Sequence, residues 1–340
     1  MNSSTEITLN APVFIGIDGG GTHSFAIAVD STGRMLASAE AGSLNFFDAG
    51  LPTTRRHLKK LSESLERQLA PRTQIDRIVV GCAALFSDAT NAEKENLCRG
   101  ILPLERTRVV SDCQSACFGA TLGRPGVVII AGTGSIVVAQ NEDGRQKRVG
   151  GWGHILGDAG SAYWMAVEAV KAAIAADEGL GPKTRMSRFV RQWFKIKKLT
   201  EVVPIIHCPD FTKERFAMLA SHLARKVGSR DAVFGEICQR AGRALASQAL
   251  AAVKLARVKT RPVPVYPVGG VLTNNGLVRA GLATALENSC AVRIAKPLLS
   301  PLLGAAALAL GDAGVELTAN VVANLAHSDL GANVDRSEKL

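Results

Sequence analysis

Two stretches of this chain repeat one plan, and the repeat limits the fold more than any single element does. Residues 13–17 form an apolar run that ends in Asp18-Gly19-Gly20-Gly21-Thr22. A second apolar run covers 25–29 and stops at Ser31-Thr32-Gly33. Much later, 127–130 is apolar, Ala131-Gly132-Thr133-Gly134-Ser135 follows, 136–139 is apolar again, and Asn141-Glu142-Asp143-Gly144 closes the stretch. Each reads as a strand, a glycine turn carrying a hydroxyl, and a returning strand. A duplicated unit predicts two similar lobes, each opening with such a hairpin.

Between and after the hairpins, strand-like and helix-like segments alternate, which predicts an α/β fold. Residues 35–41, 77–84, 108–111, 262–268 and 292–294 read as strands. Residues 51–69, 89–102, 112–122, 161–176, 277–286 and 301–310 read as helices. The longest helix is expected over 232–256, where Val233, Ile237, Ala241, Leu245, Ala249 and Val253 recur at a spacing of four. The expected division is an N-terminal lobe over 1–123, a C-terminal lobe with a helical insertion over 124–325, and a frayed polar tail over 326–340.

The chain has 340 residues and a formal net charge of +10, which raises the question of a nucleic-acid partner. Much of the excess sits in Lys183, Arg185, Arg188, Arg191, Lys195, Lys197 and Lys198, interleaved with Phe189, Trp193 and Phe194. That spacing predicts a surface helix with an apolar face and a solvated basic face, not a nucleic-acid or membrane patch. The seven cysteines are scattered and include no C-x-x-C pair, as expected of reduced thiols in a cytoplasmic protein. No targeting signal or membrane-length apolar run is read in the sequence.

Glycine turns suit phosphate, because a backbone without Cβ approaches closely and consecutive N–H groups can face an anion. The candidate phosphate residues are Gly19, Gly20, Gly21 and Thr22 in the first turn, and Gly132, Thr133, Gly134 and Ser135 in the second. Asp18 beside a phosphate loop calls for an intervening cation, and Mg²⁺ takes carboxylate, water and phosphate oxygens. Asp112 ends a strand and opens a helix, so it reads either as a helix N-cap or as a general base. The block 149–161 is V-G-G-W-G-H-I-L-G-D-A-G-S, in which Trp152 offers a flat face and Asp158 either accepts from hydroxyls or caps the next helix. Asn45 carries the donors and acceptor that a sugar diol needs, or serves as a turn residue. Cys113 and Cys117 share a helix face and read as small buried side chains.

The stretches F-I-G-I-D-G-G-G-T (14–22), I-A-G-T-G-S (130–135) and Gly269-Gly270 resemble the two phosphate motifs and the adenosine motif of the acetate kinase, sugar kinase, heat-shock cognate and actin superfamily. The stretch G-G-W-G-H-I-L-G-D-A-G-S-A-Y-W (150–164) resembles the N-acetylglucosamine kinase branch of the BadF/BadG/BcrA/BcrD ATPase group. The resemblance covers about 13–310. It implies two actin-like (ribonuclease H-like) lobes with a central nucleotide cleft, use of ATP and Mg²⁺, a small-molecule sugar substrate, and a homodimer. It implies Asp112 as the catalytic base and Asn45, Gly151, Trp152 and Asp158 as sugar contacts. Thr22 and Thr133 would meet ATP phosphates, and Gly269 and Gly270 would line the adenosine pocket. The expected reaction is phosphorylation of N-acetylglucosamine on its 6-hydroxyl. Open alternatives are glucosamine or another sugar, an ATPase activating an iron–sulfur dehydratase, and a non-catalytic sugar sensor. Ala159 replaces a glutamate frequent in relatives, and Val149 stands where the vertebrate enzyme has a cysteine, so the identity of the sugar is the most open point.

Overall fold

Alternating apolar residues build the first sheet, and each face finds its own cover. A computed structural model describes residues 11–328, apart from 84, 86–89, 209, 288 and 290. Strands β1 (Val13–Gly19), β2 (His23–Val29) and β3 (Met35–Gly42) form an antiparallel meander. Two short-to-medium helices, α1 (Phe46–Ala49) and α2 (Leu51–Gln68), lead to β4 (Ile75–Cys82). Helix α3 (Asn91–Cys98) then leads to β5 (Thr107–Ser111) and α4 (Asp112–Thr121). Strands β4 and β5 lie parallel to β1, and the sheet order is β3-β2-β1-β4-β5. Val13, Ile15 and Ile17 point to one face, where Leu58, Leu61 and Leu65 of α2 cover them. Each such fully buried leucine contributes about 1.5–3 kcal/mol.

The second sheet repeats the path. Strands β6 (Gly126–Ala131), β7 (Ser135–Gln140) and β8 (Gln146–Gly150) form another antiparallel meander. Then come α5 (Gly153–Leu156), α6 (Ala162–Asp177), α7 (Met186–Phe194), α8 (Val202–Ile206), α9 (Lys213–Lys226) and α10 (Ala232–Ala256). Strand β9 (Val263–Val268) joins parallel to β6, α11 (Gly270–Asn274) and α12 (Gly276–Glu287) follow, and β10 (Val292–Ile294) joins parallel to β9. The order β10-β9-β6-β7-β8 is that of the first sheet under the same sequence of strand roles. Val127, Ile129, Val137 and Ala139 face a core built with α6 and α10. Helix α7 is the expected basic surface helix: Met186, Val190 and Phe194 are buried, while Arg188 and Arg191 lie on its outer side.

The chain then closes with α13 (Pro301–Asp312) and α14 (Ala319–His327). The expected assignment of 297–325 to the second lobe needs correction. The described residues fall into two units, one of 11–122 with 297–328 and one of 123–296. Small residues explain the return. A Cβ at Gly16 of β1 would lie 2.3 Å from the backbone N of Ala306, so α13 lies directly on the strand. Phe14, Ile27, Val79 and Val110 share that buried face with Leu302, Leu303 and Leu310. Of the expected tail, 326–327 end α14, and 329–340 lie outside the described residues. Among the described residues no helix is long and apolar enough to cross a membrane.

Candidate active site

Both glycine hairpins turn in three residues, Gly20 to Thr22 and Gly132 to Gly134, between paired strand ends. In the first, the Gly20 amide turns inward and donates to the His23 carbonyl at 3.1 Å. In the second, the Gly132 amide donates to the Gly134 carbonyl at 2.9 Å. All three carbonyls of the second turn are spent, and so is Gly20 O of the first. Ala83 N donates to Gly19 O and Leu44 N to Gly20 O, while Ala162 N and Tyr163 N at the start of α6 donate to Gly132 O and Thr133 O. What remains is the same pair of donors in each loop. Among the described residues no protein acceptor takes the N–H groups of Gly21 and Thr22, nor those of Thr133 and Gly134. Two consecutive unspent amides are a site for an anion.

The hydroxyls do not correspond, although the amides do. Threonine is third in the first loop and second in the other. Asp18 has no counterpart either, because strand register puts Ile130 at its place. Asp18 is half-buried at the end of β1.

In the first unit the predicted residues gather at the carboxyl ends of the parallel strands, where ligands of open α/β sheets bind. Register aligns Gly19 with Cys82 and Cys82 with Ser111, so the first turn and the end of β5 share one edge. Asp112 is the next residue. It is not the N-cap of α4; Ser111 is, and its hydroxyl accepts from Gln114 N at 3.2 Å. Freed from capping, the Asp112 carboxylate accepts, among the described residues, only a local bond from Cys113 N at 2.7 Å. Burial pushes its carboxyl above the ordinary aspartate value, with the Cys113 amide pulling the other way. Asn45 is buried and N-caps α1, its Oδ1 accepting from Phe47 N at 3.1 Å. Ser43, two residues earlier, donates from Oγ to Gly20 O at 3.4 Å, which sets this stretch beside the first turn. Cys113 and Cys117 bring their sulfurs to 4.0 Å, and no cluster of three or more metal-binding side chains occurs among the described residues.

In the second unit Gly269 belongs with the second turn. Its φ is +97°, and a Cβ there would lie 2.4 Å from the Ala131 carbonyl. Gly270, exposed, opens α11. The loop from Gly150 to Gly160 bends through left-handed backbone at Gly150, Gly151, Gly153 and Gly160, and also at Asp158, with φ +60°. Such a conformation in a residue with a side chain is costly and collects at functional sites. Trp152 is 65% exposed, with the Arg148 guanidinium 5.2 Å from its ring centre. Asp158 is buried and does not cap α6; Ser161 does. Its carboxylate instead accepts from the backbone N–H groups of Ser135 and Gly153 and lies against Gly134. Burial raises its carboxyl above the ordinary value, opposed by those amides, His154 and Lys213. Sequence reasoning took Asp158 as a sugar contact and missed this brace on the second turn. It also missed Gln248, whose Nε2 donates to the Ala159 carbonyl at 3.2 Å. No motif marks Gln248; only its place on an otherwise apolar stripe of α10 hints at it.

Two matched sheets, each with a glycine hairpin presenting free amides at the ends of its strands, define the actin-like fold of the sugar kinases. Among solved structures, the chain is similar to a Chromobacterium violaceum protein crystallised as a candidate N-acetylglucosamine kinase, with TM-score 0.71 and 25% identity over 88% of this chain and 98% of that one. The chain belongs to the BadF/BadG/BcrA/BcrD ATPase family, which matches residues 15–309. It is 30% identical to an N-acetylmuramic acid/N-acetylglucosamine kinase of Clostridium acetobutylicum over 68% of this chain and 76% of the relative. It is 27% identical to an N-acetyl-D-glucosamine kinase of Dictyostelium discoideum over 89% of this chain and 99% of the relative.

Proposed function

We propose that the protein transfers the γ-phosphoryl group of ATP to the 6-hydroxyl of an amino sugar, N-acetylglucosamine first among them. The observation that carries this reading is the matched pair of turns with two unspent amides each. Gly19, Gly20, Gly21 and Thr22 of the first turn and Gly132, Thr133, Gly134 and Ser135 of the second bind phosphate oxygens. Gly269 and Gly270 take the adenosine. Asn45, Gly151, Trp152 and Asp158 orient the sugar. Asp112 accepts the proton of the attacking hydroxyl, a role that suits a carboxylate with few other partners. Phosphoryl transfer asks the protein mainly for positioning and charge stabilisation.

A magnesium ion fits the donors present. Mg²⁺ usually keeps several waters and takes one or two carboxylates together with nucleotide phosphates. Asp18 offers one carboxylate beside the first turn, and the described residues provide no larger protein cage. When bound, the ion neutralises phosphate charge. The relatives from C. acetobutylicum and D. discoideum support an N-acetylated amino sugar as substrate.

The test is ADP release from the purified protein with Mg²⁺–ATP and a panel of amino sugars, with Asp112→Asn alongside. The expected result is turnover with N-acetylglucosamine that depends on Asp112 and yields the 6-phosphate. Basal ATP hydrolysis that no sugar stimulates would overturn the reading.

A further inference from the structure

The loop between β8 and α6 carries Trp152 and Asp158, yet its own backbone does little to fix its shape. Left-handed glycines at 150, 151, 153 and 160 leave it many conformations. One backbone bond, Gly157 N to Gly153 O at 2.8 Å, closes its short helix. Other bonds must fix the rest of the shape: the Asp158 carboxylate ties Gly153 within the loop and Ser135 outside it, and α10 adds a further outside contact. Ala241, Leu245 and Gln248 lie on one face of that helix. A Cβ at Gly160 would lie 2.6 Å from Leu245 Cγ and 2.9 Å from the Ala241 carbonyl.

Gln248 reaches both feet of the loop. Its Nε2 donates to the Ala159 carbonyl at 3.2 Å, at the end of the loop. Its Oε1 faces the beginning, where a Cβ at Gly150 would lie 2.3 Å away. That oxygen is buried and takes no hydrogen bond among the described residues. The Ala159 carbonyl has a second donor, Ser135 Oγ at 3.1 Å, on the phosphate turn. One carbonyl thus ties helix, sugar loop and phosphate turn together.

Resting on the kinase reading above, we propose that Gln248 is a positioning residue for both substrates. It clamps the base of the loop that carries Trp152 and Asp158, and through the Ala159 carbonyl it keeps that loop in register with Ser135. A side chain acting in this way moves the affinities for sugar and for ATP together.

Gln248→Met tests this, since it keeps the length of the side chain and removes the donor without burying a charge. The KM values for N-acetylglucosamine and ATP are expected to rise together by about tenfold, with kcat falling less than about threefold, as for loss of one hydrogen bond. Amide hydrogen exchange without substrates should quicken over both 132–135 and 150–160. Ser135→Ala, which removes the other donor to the same carbonyl, should act less than additively with Gln248→Met. A lower melting temperature with both KM values at the wild-type level would mean a merely structural role and overturns the proposal. Unchanged exchange in either segment overturns it as well. If the wild type phosphorylates no amino sugar, the kinase reading fails, and the exchange measurement alone then decides whether Gln248 holds loop to turn.

Discussion

The two glycine hairpins present the same pair of amides but are held in place by different means. Backbone donors from neighbouring segments, Ala83 N and Leu44 N, brace the first turn. The second leans on the start of α6 and on a titratable side chain, the Asp158 carboxylate, which takes the Ser135 N–H. The carboxylates around the sheets are unequal too. Asp18 and Asp112 stand at the strand ends of the first sheet, while the matching positions of the second hold Ile130 and Ala295. The two hairpins keep the same pair of amides while their side chains differ, so on the proposed function the proton and metal chemistry falls to the first unit and the titratable brace to the second.

The largest effect should come from the chemical side of this asymmetry. Asp112→Asn should lower kcat by about 10²–10⁴-fold, the usual worth of a general base. Since a raised carboxyl ionises late, wild-type kcat/KM should fall as pH drops through that raised value. The sign for stability is opposite. The protonated form suits the folded state, so that contribution is present below the ordinary aspartate value and is lost as pH rises through the raised one. Asp112→Asn should therefore keep or raise the melting temperature at neutral pH, and calorimetry beside the kinetic assay checks both. An inactive variant that also melts early would argue that Asp112 only supports the fold.

Next in size is the brace on the second turn. Asp158→Ala leaves the Ser135 amide without its acceptor and should raise KM for ATP by about tenfold or more, in addition to any loss of sugar binding. As pH falls through the raised value of Asp158, nucleotide affinity should weaken in the wild type and not in the variant. Titration with a non-hydrolysable ATP analogue would show it; identical pH profiles would erase the distinction between the hairpins.

Paired alanine substitutions give a smaller and more local contrast. A Cβ at Gly134 would lie 2.7 Å from Asp158 Oδ2, whereas at Gly132 nothing lies within 4 Å. Gly134→Ala should cost about 1–3 kcal/mol through overpacking and weaken ATP binding, while Gly132→Ala should fold like the wild type. The smallest effect belongs to the hydroxyls. Thr22→Ala and Thr133→Ala both keep the amides, so each should change KM for ATP by about threefold to tenfold, the worth of a side-chain hydrogen bond.

Much of this was legible in the amino-acid order. The apolar runs and glycine turns marked both hairpins, and the spacing of four in α10 marked that helix over the residues it occupies. Strand β8 went unread, because Gln146 to Gly150 contains one large apolar residue and pairs at an edge. Helices α9 and α14 were missed among mixed polar residues, although Thr212 and Thr318 cap them. The site was legible by type but not by partner. Asp112 and Asp158 both looked like caps, yet Ser111 and Ser161 hold those posts. Which of two nearby residues caps a helix is settled by backbone angles and packing. The shared plan of a glycine turn carrying a hydroxyl likewise held only loosely once strand register was known, since Thr22 is third in its turn, Thr133 second in its own, and Ser135 already lies in β7.

The return of α13 to β1 has a consequence for synthesis on the ribosome. The second unit is one unbroken segment, so everything it needs to close its core has emerged before α13 appears. The first unit begins earlier and finishes later. Phe14, Ile27 and Val79 stay without Leu302, Leu303 and Leu310 until nearly the whole chain is made. The part translated first is thus the last to be completed, and a nascent chain halted before 301 would expose an apolar sheet face to any chaperone at hand.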